Sequence, residues 1–211
     1  PPRSTLFPYT TLFRSKVFVS GALDGIRVWD LLQQRPLGTL TRFNDLIYAV
    51  AISPDGRRLV SGNSKGVVKL WDLKSGRAIG GFKAHDNGVR AIAFTPTGDN
   101  VITASSDRTV KMWNFNSVEV LQTFRGHTNS VIAIAVNPDG KTLASSGKDG
   151  IKIWDLNTGA LLSQLFGHSD WVSSLAFSPD GKILASGSYD KTVRLWESQT
   201  PTLNARLKKR N

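Results

Sequence analysis

Three histidines, at 85, 127 and 168, are the only imidazoles in the 211 residues, and there is no cysteine. Thiolate zinc sites, disulfide frameworks and cysteine nucleophiles are thereby excluded together. Any acid–base or metal chemistry must run through those rings and the carboxylates. The carboxylates are Asp almost throughout, since only Glu119 and Glu197 are glutamates. Asp55, Asp139 and Asp180 sit in Pro-Asp-Gly turns, a role that explains them without catalysis. The histidines share one setting: His85, His127 and His168 each stand 11 residues before a proline, at 96, 138 and 179. A catalytic histidine has no reason to recur at a fixed repeat position, whereas a structural one does. The glycines fall at turn positions of the repeat, so neither nucleotide-binding glycine spacing is present. The chain is expected to be no enzyme and to hold no metal and no cofactor.

The elements that place these histidines repeat along the chain. Tryptophans at 29, 71, 113, 154 and 196 are spaced by 42, 42, 41 and 42 residues, with Trp171 off this comb. Around each comb Trp lies an alternating strand pattern: GIRVWD, GVVKLWD, TVKMWN, GIKIWD and TVRLWE. About ten residues earlier comes a second strand (RRLVSGN, DNVITAS, KTLASSG, KILASGS), and before it a third (LIYAVAIS, VRAIAFT, VIAIAVN, VSSLAFS). These two are joined by the turns SPDG, TPTG, NPDG and SPDG, in which Pro presets φ and Gly supplies the positive φ that enters the next strand. A short strand follows each comb Trp, as in AIGGFK, EVLQTF and ALLSQL. Four strands per period and no helical stretch predict an all-β chain of four-stranded antiparallel propeller blades. The composition is that of a globular protein, with hydrophobic residues at 40% plus 19 glycines. No apolar run approaches the roughly 20 residues that span a bilayer, so no membrane role is expected.

With these repeats the sequence resembles the WD-repeat β-propellers, whose units run from a Gly-His pair to a Trp-Asp pair. Gly126-His127 and Gly167-His168 carry the first element, with Ala84-His85 as a variant. Trp29-Asp30, Trp71-Asp72 and Trp154-Asp155 carry the second, with Trp113-Asn114 and Trp196-Glu197 as variants. The resemblance covers 16 to about 197 and implies four full blades plus one partial, an incomplete arc of a seven-bladed ring. It also implies that each His joins a Ser or Thr, an Asp and the comb Trp in a buried hydrogen-bonded tetrad. The sets are His85, Thr103, Asp107 and Trp113; His127, Ser145, Asp149 and Trp154; and His168, Ser186, Asp190 and Trp196. No His is then left to serve a nucleophilic Ser. The second blade departs from the pattern, with Phe43 at the His position and Lys65 at the Asp position, although Ser61 and Trp71 remain. The first blade keeps Ser20, Asp24 and Trp29.

For function the resemblance implies a non-catalytic protein–protein interaction scaffold that presents loop faces to other proteins. It further implies that one face carries the residues just before the first strand, Leu46, Gly88, Ser130 and Trp171, and those just before the tetrad Asp, Leu23, Ser64, Ser106, Lys148 and Tyr189. Among these, Trp171, Tyr189, Leu46, Lys148 and Leu23 are candidate partner contacts, and Trp171 with Tyr189 makes an aromatic anchor on one blade. Two alternatives stay open: a regulatory or sensor propeller fused to an upstream enzyme domain such as a kinase, and a basic, nucleic-acid-associated propeller. No small-molecule substrate is evident, and a cytoplasmic location is expected.

The net charge of +11 bears on the second alternative. Residues 1–15, PPRSTLFPYTTLFRS, back-translate in one frame to a sequencing adaptor and are read as non-native, so the native N-terminus is expected to be missing. Repeats follow over 16–199, at about 16–41, 42–83, 84–124, 125–166 and 167–199, and a basic tail occupies 200–211. Residues 16–205 hold 21 basic and 16 acidic side chains, so much of the surplus lies at the ends. Five further basics, Arg27, Lys69, Lys111, Lys152 and Arg194, stand two before each comb Trp and belong to the repeat. With no base-stacking platform or DNA-reading motif, nucleic acid is an unlikely partner.

Overall fold

A computed structural model describes residues 17–22, 25–30, 32–41 and 46–197. They form five antiparallel sheets and no helix. The first sheet is β1 (Val17–Ala22), β2 (Gly25–Asp30) and β3 (Arg35–Thr41). The second is β4 (Ile47–Ile52), β5 (Arg58–Asn63), β6 (Val67–Asp72) and β7 (Arg77–Lys83). The third is β8 (Val89–Phe94), β9 (Asn100–Ser105), β10 (Val110–Asn114) and β11 (Val120–Phe124). The fourth is β12 (Ala133–Val136), β13 (Thr142–Gly147), β14 (Gly150–Asp155) and β15 (Leu161–Leu165). The fifth shows β16 (Val172–Phe177), β17 (Ile183–Ser188) and β18 (Val193–Glu197) among the described residues. Each sheet is a meander in sequence order, as the period predicts, and among the described residues the first shows its repeat from the second strand on.

The turns and the register follow from the sequence pattern. Gly56, Gly98, Gly140 and Gly181 each donate an N–H three residues back, to Ser53, Thr95, Asn137 and Ser178, at φ near 70–81°. A side chain at that φ is strained, which is why glycine closes each turn. The comb Trp lies opposite an apolar residue of the second strand in every sheet: Phe18, Leu59, Val101, Leu143 and Leu184 face Trp29, Trp71, Trp113, Trp154 and Trp196. Its indole is buried in the second to fifth sheets.

Most of the core lies between sheets. Ile151 and Ile153 of β14 pack with Val172, Leu175, Leu184 and Trp196 of the fifth sheet. Val110 of β10 meets Val131, Ile134, Leu143 and Trp154 in the same way, and Val68 and Leu70 meet Val89, Ile92, Val101 and Trp113. Burying one such aliphatic side chain contributes about 1.5–3 kcal/mol. The outer strand adds to the same seam, because Phe82 lies 4.8 Å from the Trp113 ring of the next sheet, and Phe124 lies 5.7 Å from Trp154. Neighbouring sheets thus lock each other around each comb Trp, at the end where the histidines enter.

Candidate functional site

The structure brings each predicted set of four together. In the third sheet the Trp113 indole donates to Thr103 Oγ1 at 2.9 Å, the hydroxyl lies 2.7 Å from His85 Nε2, and His85 Nδ1 lies 2.8 Å from Asp107. The fourth sheet repeats this with Trp154 to Ser145 at 2.7 Å, Ser145 to His127 at 2.7 Å and His127 to Asp149 at 2.8 Å. The fifth does so with Trp196, Ser186, His168 and Asp190 at 2.8, 2.8 and 2.7 Å. The spacing that made three equivalent histidines in sequence becomes three equivalent networks in space.

An indole N–H can only donate, so in each chain the hydroxyl oxygen accepts from the Trp. The imidazole then bridges the hydroxyl and the carboxylate, with Nε2 on the first and Nδ1 on the second. Burial pushes the His127 ring below its ordinary value, against the pull of Asp149. Burial also raises Asp107 and Asp149, but donors from His85 with Thr109, and from His127 with the Thr128 backbone, outweigh it and hold both carboxyls below the usual range. Asp190 is held low chiefly by the Thr192 hydroxyl, with His168 adding to it. The carboxylates also tie the loops, since the backbone N–H groups of Asp86, Thr128 and Ser169 donate to Asp107, Asp149 and Asp190.

A Ser, a His and an Asp in hydrogen-bonded series invite comparison with a nucleophilic triad. The geometry answers otherwise. Thr103 and Ser145 are 0% exposed, and each hydroxyl oxygen is already engaged by an indole. No substrate carbonyl reaches such an oxygen. The arrangement joins strands and loops; it does not present a reacting atom.

The second sheet keeps only the first link, Trp71 to Ser61 at 2.9 Å. Its turn is held instead by Asn63, whose Oδ1 accepts from the backbone of Lys65 at 3.0 Å and of Val67 at 2.9 Å. Sequence reasoning missed Asn63, and the signal was an Asx-turn former standing ahead of Ser-Lys-Gly. In the first sheet Trp29 donates to Ser20 at 3.0 Å. Asp24, Phe43 and Leu23 lie outside the described residues.

On the loop face, the two series of candidate positions are joined within a sheet by backbone bonds. Ser64 donates to Leu46, Ser106 to Gly88 and Tyr189 to Trp171, at 2.9 to 3.0 Å. Tyr189 is 65% exposed, Leu46 is 38% exposed and Lys148 is exposed, while Trp171 is half-buried. Among the repeat basics, Lys111 donates to the Ala84 carbonyl at 2.9 Å, and Lys152, only 4% exposed, lies 3.8 Å from Asp149. These two lysines serve the networks from within.

The family model of the WD domain, G-beta repeat, matches residues 34–72, 76–114, 118–155 and 159–197, well over half of the chain. The chain belongs to the WD40 repeat family. Each matched WD40 unit starts on the outer strand of one sheet and ends on the third strand of the next, so a single repeat spans one seam. The tetrads therefore hold together what the sequence unit joins. WD40 propellers are in general protein-interaction scaffolds and are typically non-catalytic. A search of curated proteins finds no match to this chain.

Proposed function

We propose that this WD40 chain is a non-catalytic scaffold that recognises other proteins through the loop face bearing Leu46, Lys148, Trp171 and Tyr189. The observation that carries this reading is the pairing of Trp171 with Tyr189. Tyr189 N–H donates to the Trp171 carbonyl at 3.0 Å, and this fixes two large aromatic residues side by side at one end of the fifth sheet. Tyr189 is 65% exposed there. Aromatic side chains bury much area at small entropic cost and dominate interface energetics. Beneath them the His168 network anchors the loop, because the Ser169 N–H donates to Asp190 at 3.1 Å. The recognition surface is thus preorganised by the tetrad.

The test is a pull-down with the intact protein and its Trp171→Ala/Tyr189→Ala variant, with thermal melting run alongside. The double variant is expected to lose partners while melting within a few degrees of the parent. Retention of every partner contradicts the reading.

A further inference from the structure

The inner strands β4, β8 and β16 all break their ladder with the second strand at one step, between Ile47 and Ala49, Val89 and Ala91, and Val172 and Ser174. A bulge residue leaves the pairing, and its side chain is re-aimed. In β16 that residue is Ser173, but in β4 and β8 the bulges carry Tyr48 and Arg90. The guanidinium carbon of Arg90 lies 4.5 Å from the Tyr48 ring centroid. The same ring leans over Gly88, where a Cβ would come within 3.0 Å of Tyr48 Cε2 and 3.1 Å of the Ser64 carbonyl oxygen. Ser64 and Gly88 are loop-face positions, so the pair sits at that face on the seam between the second and third sheets.

Arg90 lacks the acceptor a half-buried guanidinium usually has. Among the described residues its Nε is buried without a partner, and no carboxylate pairs with it. Contact with the Tyr48 ring holds the guanidinium in place, and its fork, suited to a carboxylate, is left unfilled. The surroundings share its sign. Each of three consecutive sheets adds one exposed cation at its turn between second and third strands: Arg108, Lys148 and Lys191. Few acids among the described residues of this face oppose them. Asp107, Asp149 and Asp190 are committed to their histidines, and Asp170 accepts the Trp171 N–H. Asp86 is exposed.

We propose that the loop face binds an acidic peptide segment of a partner protein, with Arg90, held against Tyr48, receiving one Asp or Glu carboxylate while the turn cations steer its neighbours. The proposal rests on the loop-face reading above and names the chemistry of its partner. Charge complementarity favours a peptide over nucleic acid. The cations stand one per sheet and are interrupted by Asp86 and Asp170, which suits discrete carboxylates on a flexible chain better than an unbroken row of phosphates.

The test is fluorescence polarisation of the full chain with labelled decaglutamate, decalysine and an oligo-dT strand of equal length. Decaglutamate is expected to bind and to weaken with added salt, and decalysine is expected not to bind. Arg90→Ala should weaken decaglutamate at least about tenfold. Lys148→Glu/Lys191→Glu, at exposed turn tips, should do likewise with the melting midpoint of the parent, whereas Arg77→Ala on the outer strand β7 should change nothing. Oligo-dT binding as tightly as decaglutamate overturns the proposal, and so does parental affinity in both the Arg90 and the Lys148/Lys191 variants. The two readings fail separately. Loss of partners from the Trp171/Tyr189 variant, with decaglutamate binding indifferent to Arg90, sinks only the acidic peptide. Dependence on Arg90, with every partner kept by the Trp171/Tyr189 variant, sinks only the aromatic anchor.

Discussion

The second and fourth sheets share a strand order and the register of their second and third strands, with Leu59 opposite Trp71 in one and Leu143 opposite Trp154 in the other. Yet they hold their upper turns by different means. In the fourth, Ser145, His127 and Asp149 carry a hydrogen-bonded chain from the core out to the Thr128 backbone. In the second the chain stops at Ser61, and Asn63 ties the turn locally. The tetrad is therefore not needed to form a blade. What it adds is a buried side-chain connection, beside the backbone bonds, between the loop ahead of the inner strand and the turn after the second strand, which are the two segments that make the recognition face. Loss of His and Asp together is the physically coherent way to dispense with it, since a half-filled buried polar network costs more than none.

The comparison breaks most visibly at His127. His127→Ala leaves the Ser145 hydroxyl and the Asp149 carboxylate without their shared partner and opens a cavity, so a loss of about 3 kcal/mol is expected. Thermal unfolding reads this as a clear drop in midpoint, with binding at other sheets unaffected. An unchanged midpoint removes the structural role assigned to the tetrads.

Acid sharpens the same contrast. The His127 ring in the folded chain titrates below its ordinary 6.5, and Asp149 and Asp107 titrate below 3.8. For each group the unfolded state takes up its proton first as pH falls. Stability from His127 is full above 6.5 and is lost as pH drops below it, and the aspartates add their loss only below 3.8. Position 65 of the second sheet is a lysine in place of the tetrad Asp. In hydrogen exchange at descending pH, β13 and β14 should lose protection before β5 and β6. Simultaneous loss would mean that the tetrads do not set local stability.

Much of this was legible in the sequence, for reasons the particular residues show. The Trp comb and the Pro-Asp-Gly turns repeat, and repetition makes strand order and register readable where one strand would be ambiguous. His85, His127 and His168 could be set aside as catalysts from their equal spacing alone, while their partners came by resemblance to the WD-repeat pattern. Tyr48 and Arg90 were invisible, because period-two alternation reads the same with or without a bulge and cannot say that two side chains from different sheets will meet. Asn63 was passed over because it replaces a network by a local turn, leaving no gap in the repeat. Trp171 stands out in the sequence as an aromatic off the comb at a loop-face position, and the half-burial it shows depends on neighbours that spacing does not reveal.

The most direct measurement of what a complete network adds is the pair Ser145→Ala and Ser61→Ala, compared by thermal unfolding. Both hydroxyls are buried and both accept an indole N–H, but only Ser145 also serves a histidine. Ser145→Ala is expected to cost about 1–3 kcal/mol more than Ser61→Ala, the penalty of one further buried group left unpaired. Equal costs would contradict the claim that the tetrad works as a connected whole.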